Sequence, residues 1–395
     1  MMRPWPKSIR RVVFVATEFP TLAGGSVYIE SMGQAFQERG LHVEVLSLYP
    51  GEGATALAHR YVFPRRDLYK APALAGRRGA ARVRAVPRWA FKRLTVAPLG
   101  RRAARRLQRL SPDTLVVFTH VTALDVLCNH GYDSSSARAL LIGQHHSSYS
   151  MFVDESYLME TARRVFASMD LFTALSAEDA TQFQEYLGVP AVAMPNPRRP
   201  LPTKADGAQG RARRLVALAR YGGEKRLDLM VDLVDRVFAD TRADGWTLHL
   251  YGAGNAEETI AAHIAKARHG DRMRLEGPTT DPLGVLATSG VHLVTSSFEG
   301  FSLSTLEAAS MGVPTVAFDV SPGLRGLMEA VDGVLVPADD GQAYVDAVVA
   351  LVADDEMRTR RGERAVLGSQ RFDGPVIVDR WADVLAPLAA HRPSS

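Results

Sequence analysis

Cysteine is almost absent from the sequence: Cys128 stands alone among 395 residues. A single cysteine excludes an internal disulfide framework and a cysteine-rich metal site, and it is typical of a reducing compartment. Long apolar runs are also missing. The stretch from Val12 to Ala16 is too short for a signal core or a membrane span and is typical of a β-strand. We therefore expect a cytoplasmic protein with an inert, buried thiol at Cys128.

Acidic residues are scarce in one segment. Between Arg60 and Arg109 there are sixteen lysines and arginines but one acid, Asp67, although the net charge of the chain is only +4. We expect this basic segment, 60–110, to lie on the anionic inner face of a membrane or to attract a polyanionic acceptor. The structural alternative is a helix whose basic face is solvated and whose aromatic stripe packs on the core. A nucleic acid partner is not expected, because no nucleic-acid-binding module is recognisable.

The length and the order of elements predict two α/β domains. A hydrophobic content of 46% with 23% charged residues is that of a globular protein, and 395 residues exceed one ordinary core. The chain opens with a strand, a loop that contains Gly24 and Gly25, a helix from about Val27 to Glu38, and a second strand. This order is typical of a Rossmann-like, doubly wound parallel sheet. The Pro-, Gly- and charge-rich residues 198–212 have the composition of a linker.

Two histidines, His145 and His146, follow a predicted strand at 139–143. Ligands of doubly wound sheets bind where strands end in loops, so the pair is well placed for a binding role. A purely structural pair is the alternative. A metal site is not expected, because no carboxylate or third histidine stands nearby at ligand spacing.

Two basic residues follow the first strand of the second predicted domain. Arg220 leaves the end of the strand at 215–219, and Lys225 stands at the start of the next helix, near Leu227. Both cations can converge on a diphosphate.

The most informative stretch is 296–309. A turn at Glu299 and Gly300 follows a buried strand at 291–294, and Ser302 or Ser304 can cap the helix that begins there and runs to about Met311. The free N–H groups and positive dipole end of that helix form an anion site. Glu299 and Glu307 frame the site and can accept hydrogen bonds from sugar and ribose hydroxyls.

This stretch resembles the E-x7-E signature, with its E-G-F-x-L-x-x-L-E-A core, of retaining glycosyltransferases of family 4. The resemblance extends from Gly24 to Trp381. It implies the GT-B fold: two Rossmann-like domains facing a cleft, with a C-terminal helix that crosses back to the first domain. The domains would be 1–197 on the acceptor side and 213–372 on the donor side, followed by the crossover helix and tail at 373–395. The Phe-Asp-x-x-x-Gly run at 318–323 is similar to poly(polyol-phosphate) glycosyltransferases.

The resemblance also implies roles for individual residues. His146 would contact the donor sugar, with His145 as the alternative, while Arg220 and Lys225 would neutralise the leaving diphosphate. Glu299 would hold the hydroxyls of the donor sugar, and Glu307 those of the ribose. The implied donor-binding set is Gly24, Gly25, Leu275, Gly300, Phe301, Ser302, Leu303, Ser304 and Glu307. Ala219 and Arg226 stand where the family usually has glycine, but both cations are kept.

The implied reaction is retaining transfer of a hexose from a nucleotide sugar, with UDP as the expected carrier. The acceptor would be a glycan, a lipid-linked sugar, a polyol-phosphate polymer or another acceptor. No cofactor or metal is expected, because no Asp-x-Asp is present in the donor region and the cationic side chains would replace a metal. Two alternatives stay open. A nucleotide-sugar epimerase shares the two-domain plan but lacks the E-G-F pattern, and a non-catalytic protein could bind an anionic polymer.

Overall fold

The computed structural model describes residues 3–21, 24–51, 65–67, 97–154, 156–201 and 212–390, with the backbone alone at 65–67, 97 and 156. The chain divides into two compact units. Unit 1 combines Met1–Pro197 with Gly374–Ser395, and unit 2 is the continuous segment Arg198–Asp373. Each unit has its own parallel sheet and its own hydrophobic core.

Unit 1 contains a seven-stranded sheet with the order β3-β2-β1-β4-β5-β6-β7 and parallel pairing throughout. The strands are β1 Arg11–Glu18, β2 His42–Tyr49, β3 Arg65–Asp67, β4 Thr114–Phe118, β5 Leu140–Gln144, β6 Leu171–Ala174 and β7 Ala191–Ala193. The helices between them are α1 Gly24–Glu38, α2 Ala97–Gln108, α3 Val121–Cys128, α4 Tyr149–Val153, α5 Ser156–Phe166 and α6 Ala177–Leu187.

Local sequence explains how these elements begin and end. Val12 to Ala16 are all buried in β1, because a central parallel strand is covered on both faces. Ser176 caps α6 by accepting a hydrogen bond from the amide of Asp179 at 3.0 Å. Gly188 ends the same helix at φ 71°, a left-handed conformation that favours glycine.

The first helix begins earlier than the sequence predicted. The expected glycine loop continues to Ser26, but Gly24 and Gly25 are already the first two residues of α1. Amides of a first helical turn need no intrahelical partner, so glycines there are tolerated. An added Cβ at Gly25 would meet nothing within 4 Å, so the described structure does not require glycine at that position. Leu22 and Ala23 lie outside the described residues.

Unit 2 contains a six-stranded parallel sheet with the order β10-β9-β8-β11-β12-β13. The strands are β8 Arg214–Leu218, β9 Thr247–Tyr251, β10 Met273–Gly277, β11 Val291–Val294, β12 Thr315–Phe318 and β13 Val334–Val336. The helices are α7 Leu227–Phe238, α8 Glu257–Lys266, α9 Pro282–Ala287, α10 Leu303–Ser310, α11 Pro322–Ala330, α12 Gly341–Ala353 and α13 Asp355–Ser369. Both units are thus Rossmann-like and doubly wound, as the sequence predicted.

The last helix, α14 at Gly374–Ala390, belongs to unit 1, which confirms the predicted return of the chain. Trp381 is fully buried and packs edge to face on Phe36, with ring centroids 6.1 Å apart. Arg39 and Asp379 form an ion pair at 2.9 Å beside it. The core of unit 1 is therefore completed by residues from the far end of the chain.

The basic segment is described only in part. Residues 68–96, including Trp89 and Phe91, lie outside the described residues, as do 202–211 of the expected linker and 391–395 of the tail. Helix α2 does contain the arginines at helical spacing. Among the described helices, none combines the length and the apolar character needed to cross a bilayer.

Candidate functional site

The sheet of unit 2 reverses its winding direction between β8 and β11. Crevices at such a switch point, beyond the carboxyl ends of the strands, are where open α/β sheets bind ligands. The loop after β8 carries Arg220 and Lys225, and the loop after β11 carries Glu299 and Ser302. The topology therefore gathers the cations and the carboxylate of the predicted site at one place.

Lys225 and Glu299 contact each other directly. The Lys225 ammonium donates to Oε1 of Glu299 at 2.7 Å, and the Ser296 hydroxyl donates to the same oxygen at 2.7 Å. The two side chains are only 21% and 12% exposed. Within the described part of the chain, Oε2 of Glu299 accepts no hydrogen bond. Glu299 is thus held by one oxygen and presents the other.

Hydrogen bonds between the two loops fix this pair. The Thr295 hydroxyl donates to the carbonyl oxygens of Lys225 and Arg226, both at 3.0 Å. The amide of Ser297 donates to the carbonyl oxygen of Glu224 at 2.9 Å. Arg226 has φ 49°, which explains why the family usually has glycine here: a left-handed backbone costs a side-chain-bearing residue about 1 kcal/mol.

Glycines bring a further loop against the strand that leads to Arg220. A Cβ on Gly252 would lie 1.8 Å from the carbonyl oxygen of Ala219, and one on Gly254 would lie 2.3 Å from that of Tyr221. Only glycine allows such close backbone approach. The Gly-x-Gly turn after β9 therefore supports the Arg220 loop.

Arg220 itself is placed differently from Lys225. Its guanidinium forms an ion pair with Glu224 and is 71% exposed. Burial raises the pKa of Glu224, but the Arg220 hydrogen bond and charge outweigh that effect, so the pKa lies below its ordinary value. The described contacts join Lys225 to Glu299 but leave Arg220 with a different carboxylate.

Ser302 occupies the N-cap position of α10, but its side chain does not cap the helix. Its backbone is left-handed, at φ 65°, and its hydroxyl lies 2.9 Å from the hydroxyl of Thr305. Unusual backbone conformations of this kind cluster at binding sites. No side chain of the described residues bonds the first amides of α10, so they can face an anion, as predicted from the turn.

Glu307, on α10, is buried and forms an ion pair with Arg199. The Arg199 Nε donates to Oε1 of Glu307 at 2.9 Å. Burial raises the pKa of the Glu307 carboxyl, and the charge and hydrogen bond of Arg199 oppose that rise without cancelling it. Sequence reasoning missed this partner because Arg199 lies in the expected linker. An arginine pair directly after Pro197 was the available signal.

Other predicted donor-binding residues have structural contacts. Phe301 is buried and packs edge to face on Phe372, with centroids 5.4 Å apart. Leu275 lies on β10, two strands from β8, and packs against the core of unit 2. Gly300 is buried in the turn before α10, and Leu303 and Ser304 form its first residues.

In unit 1 the winding direction reverses between β1 and β4. His120 follows β4 at this switch point, and sequence reasoning missed it. Its Nδ1 accepts a hydrogen bond from the amide of Thr122 at 3.2 Å, so it caps α3. Burial lowers the pKa of His120. His120 is therefore a neutral structural residue beside the predicted histidine pair.

His145 and His146 have different surroundings. The His145 ring packs on Phe152 and Phe183, at centroid distances of 4.8 and 5.7 Å, and its Nε2 bonds the Ser147 hydroxyl. Burial, with the neighbouring His120 and His146, lowers the pKa of His145 to about 3. His145 thus belongs to the core.

The His146 ring packs on Tyr28 in a tilted arrangement, with centroids 4.3 Å apart. Both its ring nitrogens, together with Oδ1 of Asn196, are shielded from solvent without a hydrogen-bond partner among the described residues. Burial lowers the pKa of His146 to about 4, and the adjacent Asn196 side chain opposes this shift as a loose hydrogen-bond partner that falls outside the geometry of a full hydrogen bond. A neutral imidazole with unsatisfied nitrogens can bind hydroxyl groups. Among the described residues, no group of three or more histidine, cysteine, aspartate or glutamate side chains is arranged to hold a metal ion.

Comparison with known families gives one match for each half of the chain. Residues 22–197 match the family described as "Glycosyltransferase Family 4". Residues 212–354 match the family described as "Glycosyl transferases group 1". Together the two matches span most of both units.

Several characterised proteins are similar over part of their length. An exopolysaccharide phosphotransferase of Streptomyces coelicolor is 31% identical over 42% of this chain and 18% of that protein. The poly(glycerol-phosphate) alpha-glucosyltransferase of Bacillus subtilis is 27% identical over 37% of this chain and 22% of the relative. The poly(ribitol-phosphate) alpha-N-acetylglucosaminyltransferase of Staphylococcus aureus is 22% identical over 71% of this chain and 56% of the relative. The matched regions thus cover from under a quarter to about half of these proteins.

Solved structures share the fold over nearly the whole chain. A crystal structure of TarM superposes with a TM-score of 0.75 at 14% identity and covers 96% of this chain and 99% of that one. Anabaena HepE in complex with UDP-glucose superposes with a TM-score of 0.71 at 17% identity and covers 95% and 99% of the two chains. These likenesses establish the predicted GT-B fold.

Proposed function

Because the chain belongs to glycosyltransferase family 4 and has the GT-B fold, we propose that it transfers a hexose from a UDP-sugar to an acceptor with retention at the anomeric carbon. One observation carries this proposal. The Lys225–Glu299 pair lies at the switch point of unit 2, beside an uncapped helix N-terminus. Such a site combines donors for a diphosphate with a carboxylate for sugar hydroxyls.

The cations act on the leaving group. As the glycosidic bond to the diphosphate breaks, negative charge develops on the leaving oxygen, and preorganised donors stabilise it. Lys225 keeps N–H groups beyond the one given to Glu299, and Arg220 would supply further charge from the same loop. The uncapped amides of α10 would add further donors. We propose that these groups replace a metal ion, so that activity persists in EDTA.

The carboxylates position the donor. Glu299 would accept hydrogen bonds from sugar hydroxyls through its unoccupied oxygen, and Glu307 would accept those of the ribose. In unit 1, neutral His146 would bind a further hydroxyl of the sugar. Retention then follows a same-face substitution, in which the leaving phosphate takes the proton of the acceptor hydroxyl as the new bond forms.

We propose UDP as the carrier, since the HepE structure holds UDP-glucose and another TarM structure, of the S. aureus protein, holds UDP. That TarM structure has a TM-score of 0.62 at 20% identity and covers 73% of this chain and 59% of that one.

An anionic polymer is the proposed acceptor. Two of the relatives are named for poly(glycerol-phosphate) and poly(ribitol-phosphate). Helix α2 exposes Arg101, Arg102 and Arg105, while Ala103, Ala104 and Leu107 pack in the core of unit 1. Since Ala103, Ala104 and Leu107 are buried and Leu99 is its one exposed large apolar side chain among the described residues, α2 offers an anionic partner mainly charge. This favours a phosphodiester polymer over membrane insertion.

The test measures UDP release from UDP-glucose and UDP-N-acetylglucosamine, with and without poly(glycerol phosphate) or poly(ribitol phosphate), in the presence of EDTA. We expect acceptor-dependent UDP release and an α-linked product by NMR. Acceptor-independent conversion of the sugar would indicate an epimerase. Polymer binding without turnover of any nucleotide sugar would indicate a non-catalytic binder.

A further inference from the structure

Glu307 is held by one oxygen only. It is 7% exposed, and its Oε1 accepts from Arg199 Nε at 2.9 Å. Oε2 of Glu307 accepts no hydrogen bond from the described residues, and it is in contact with solvent. The same arrangement occurs at Glu299, whose Oε1 is held while Oε2 is presented.

A buried carboxylate needs a partner to stay charged. Desolvation penalises the ionised form by several kcal/mol, and a well-placed guanidinium offsets that cost. Arg199 is itself only 19% exposed, so the pair is weakly screened by water. The ionised form matters because a carboxylate only accepts hydrogen bonds, whereas a protonated carboxyl donates one.

Arg199 reaches Glu307 from a remote part of the sequence. The two residues are 108 positions apart, and Arg199 is the second residue of unit 2. Its neighbour Arg198 forms an ion pair with Asp373, the last residue of unit 2. Two adjacent arginines thus hold two different carboxylates, and only one of these belongs to the E-x7-E motif.

We propose that Arg199 is a positioning residue for the donor. It holds Glu307 ionised and oriented, so that the free carboxylate oxygen accepts hydrogen bonds from the ribose hydroxyls of the nucleotide. This role rests on the proposed function, because it takes Glu307 as the ribose ligand. In this role Arg199 acts on the donor through Glu307.

The experiment compares UDP with 2′-deoxy-UDP and 3′-deoxy-UDP by isothermal titration calorimetry. The variants are Arg199→Met, Arg199→Lys, Glu307→Gln and the Arg199→Met/Glu307→Gln double variant. Arg198→Met is the matched control, since Arg198 is similarly buried and also paired with a carboxylate. Kinetic measurements with a UDP-sugar accompany the titrations.

We expect the Kd for UDP to rise about tenfold in Arg199→Met and in Glu307→Gln, which is the loss of one charge-assisted hydrogen bond. The double variant should be no weaker than the worse single one, because both changes remove the same contact. Arg199→Lys should recover part of the affinity. The loss should appear in the donor KM more than in kcat, and it should shrink for the deoxy nucleotide that lacks the bonded hydroxyl. Arg198→Met should bind UDP as the wild type does.

The outcomes separate the two proposals. If wild-type protein binds neither UDP nor a UDP-sugar, the donor site of the proposed function fails. If the wild type binds UDP and Glu307→Gln weakens it but Arg199→Met does not, the positioning role is overturned and the donor site stands. If Arg199→Met weakens the binding of UDP and of both deoxy nucleotides equally, the positioning role is also overturned. A merely structural change would weaken all three alike. If Arg199→Met does not fold, Arg199→Lys and the deoxy nucleotides give the same comparison.

Discussion

The side chains at the carboxyl ends of the strands are charged in unit 2 but mostly uncharged in unit 1. At the strand ends of unit 2, charged groups are already paired: Lys225 with Glu299 and Arg199 with Glu307. At the strand ends of unit 1, His145 and His146 are neutral, and buried polar atoms of His146 and Asn196 have no partner of full hydrogen-bond geometry within the described residues. Buried polar atoms are normally satisfied, so unit 1 is the part that would gain hydrogen bonds from a hydroxyl-rich ligand. Unit 2 is preorganised for charge before any ligand arrives.

The largest expected effect is on the charged site. Lys225→Met should lower kcat/KM about 100-fold or more, because it removes a donor aimed at the developing charge and leaves Glu299 unpaired. Steady-state kinetics with a UDP-sugar measure this. Lys266→Met, an exposed lysine in the last turn of α8, is the control and should retain full activity. An equal change in kcat/KM for Lys225→Met and Lys266→Met would contradict a catalytic role for Lys225.

An intermediate effect should distinguish the two histidines of unit 1. His146→Ala should lower kcat/KM about tenfold to 100-fold, the value of one or two buried hydrogen bonds to neutral groups. His145→Ala should instead lower the free energy of unfolding by about 2 kcal/mol, since it leaves a cavity between Phe152 and Phe183. Kinetics and chemical denaturation of both variants test this. If His145→Ala lowers kcat/KM and His146→Ala lowers the free energy of unfolding instead, His145 is the sugar-binding residue and His146 the structural one.

The smallest effect per residue concerns pH. Burial lowers the pKa of His292 to about 3, and His145 and His146 are lowered in the same sense. The unfolded chain therefore takes up protons first, so stability is complete above pH 6.5 and is lost as the pH falls towards 4. Each histidine contributes about 1.4 kcal/mol per pH unit over that window.

Denaturant titrations at pH 7.0, 6.0 and 5.0 measure this slope. His292→Asn should reduce the slope by about 1.4 kcal/mol per pH unit while leaving the slope from unit 1 in place. An unchanged slope would show that His292 is not a buried neutral residue. Because His146 stays neutral, its titration should not alter kcat between pH 6 and 8.

Much of the fold could be predicted because its signals are local. Strand β11 has the predicted bounds, since a short apolar run before a turn specifies a buried strand. The alternation of strands and helices predicts the Rossmann-like units, and the E-x7-E motif predicts the candidate donor site. Cys128 is half-buried and not fully buried as predicted, but burial still raises the pKa of its thiol to about 11, as expected for an inert cysteine.

The remainder depends on contacts that sequence spacing does not encode. The partner of Glu307 lies 108 residues away, in a segment whose composition predicted only a linker. The difference between His145 and His146 depends on which ring meets Phe152 and Phe183, which is decided by packing. The sequence predicts the start of α1 three residues too late, because the paired glycines indicate a loop.

The position of α14 has a consequence for how the protein is made. Unit 2 is continuous, whereas unit 1 needs Trp381 and its neighbours to close its core around Phe36. During synthesis, residues 1–197 of unit 1 must therefore wait for residues 374–395, which are made last. Unit 2, in the middle of the chain, can finish folding before unit 1 does. A ribosome that stops before residue 374 would release a molecule whose second unit is complete and whose first unit still exposes apolar surface to chaperones and proteases.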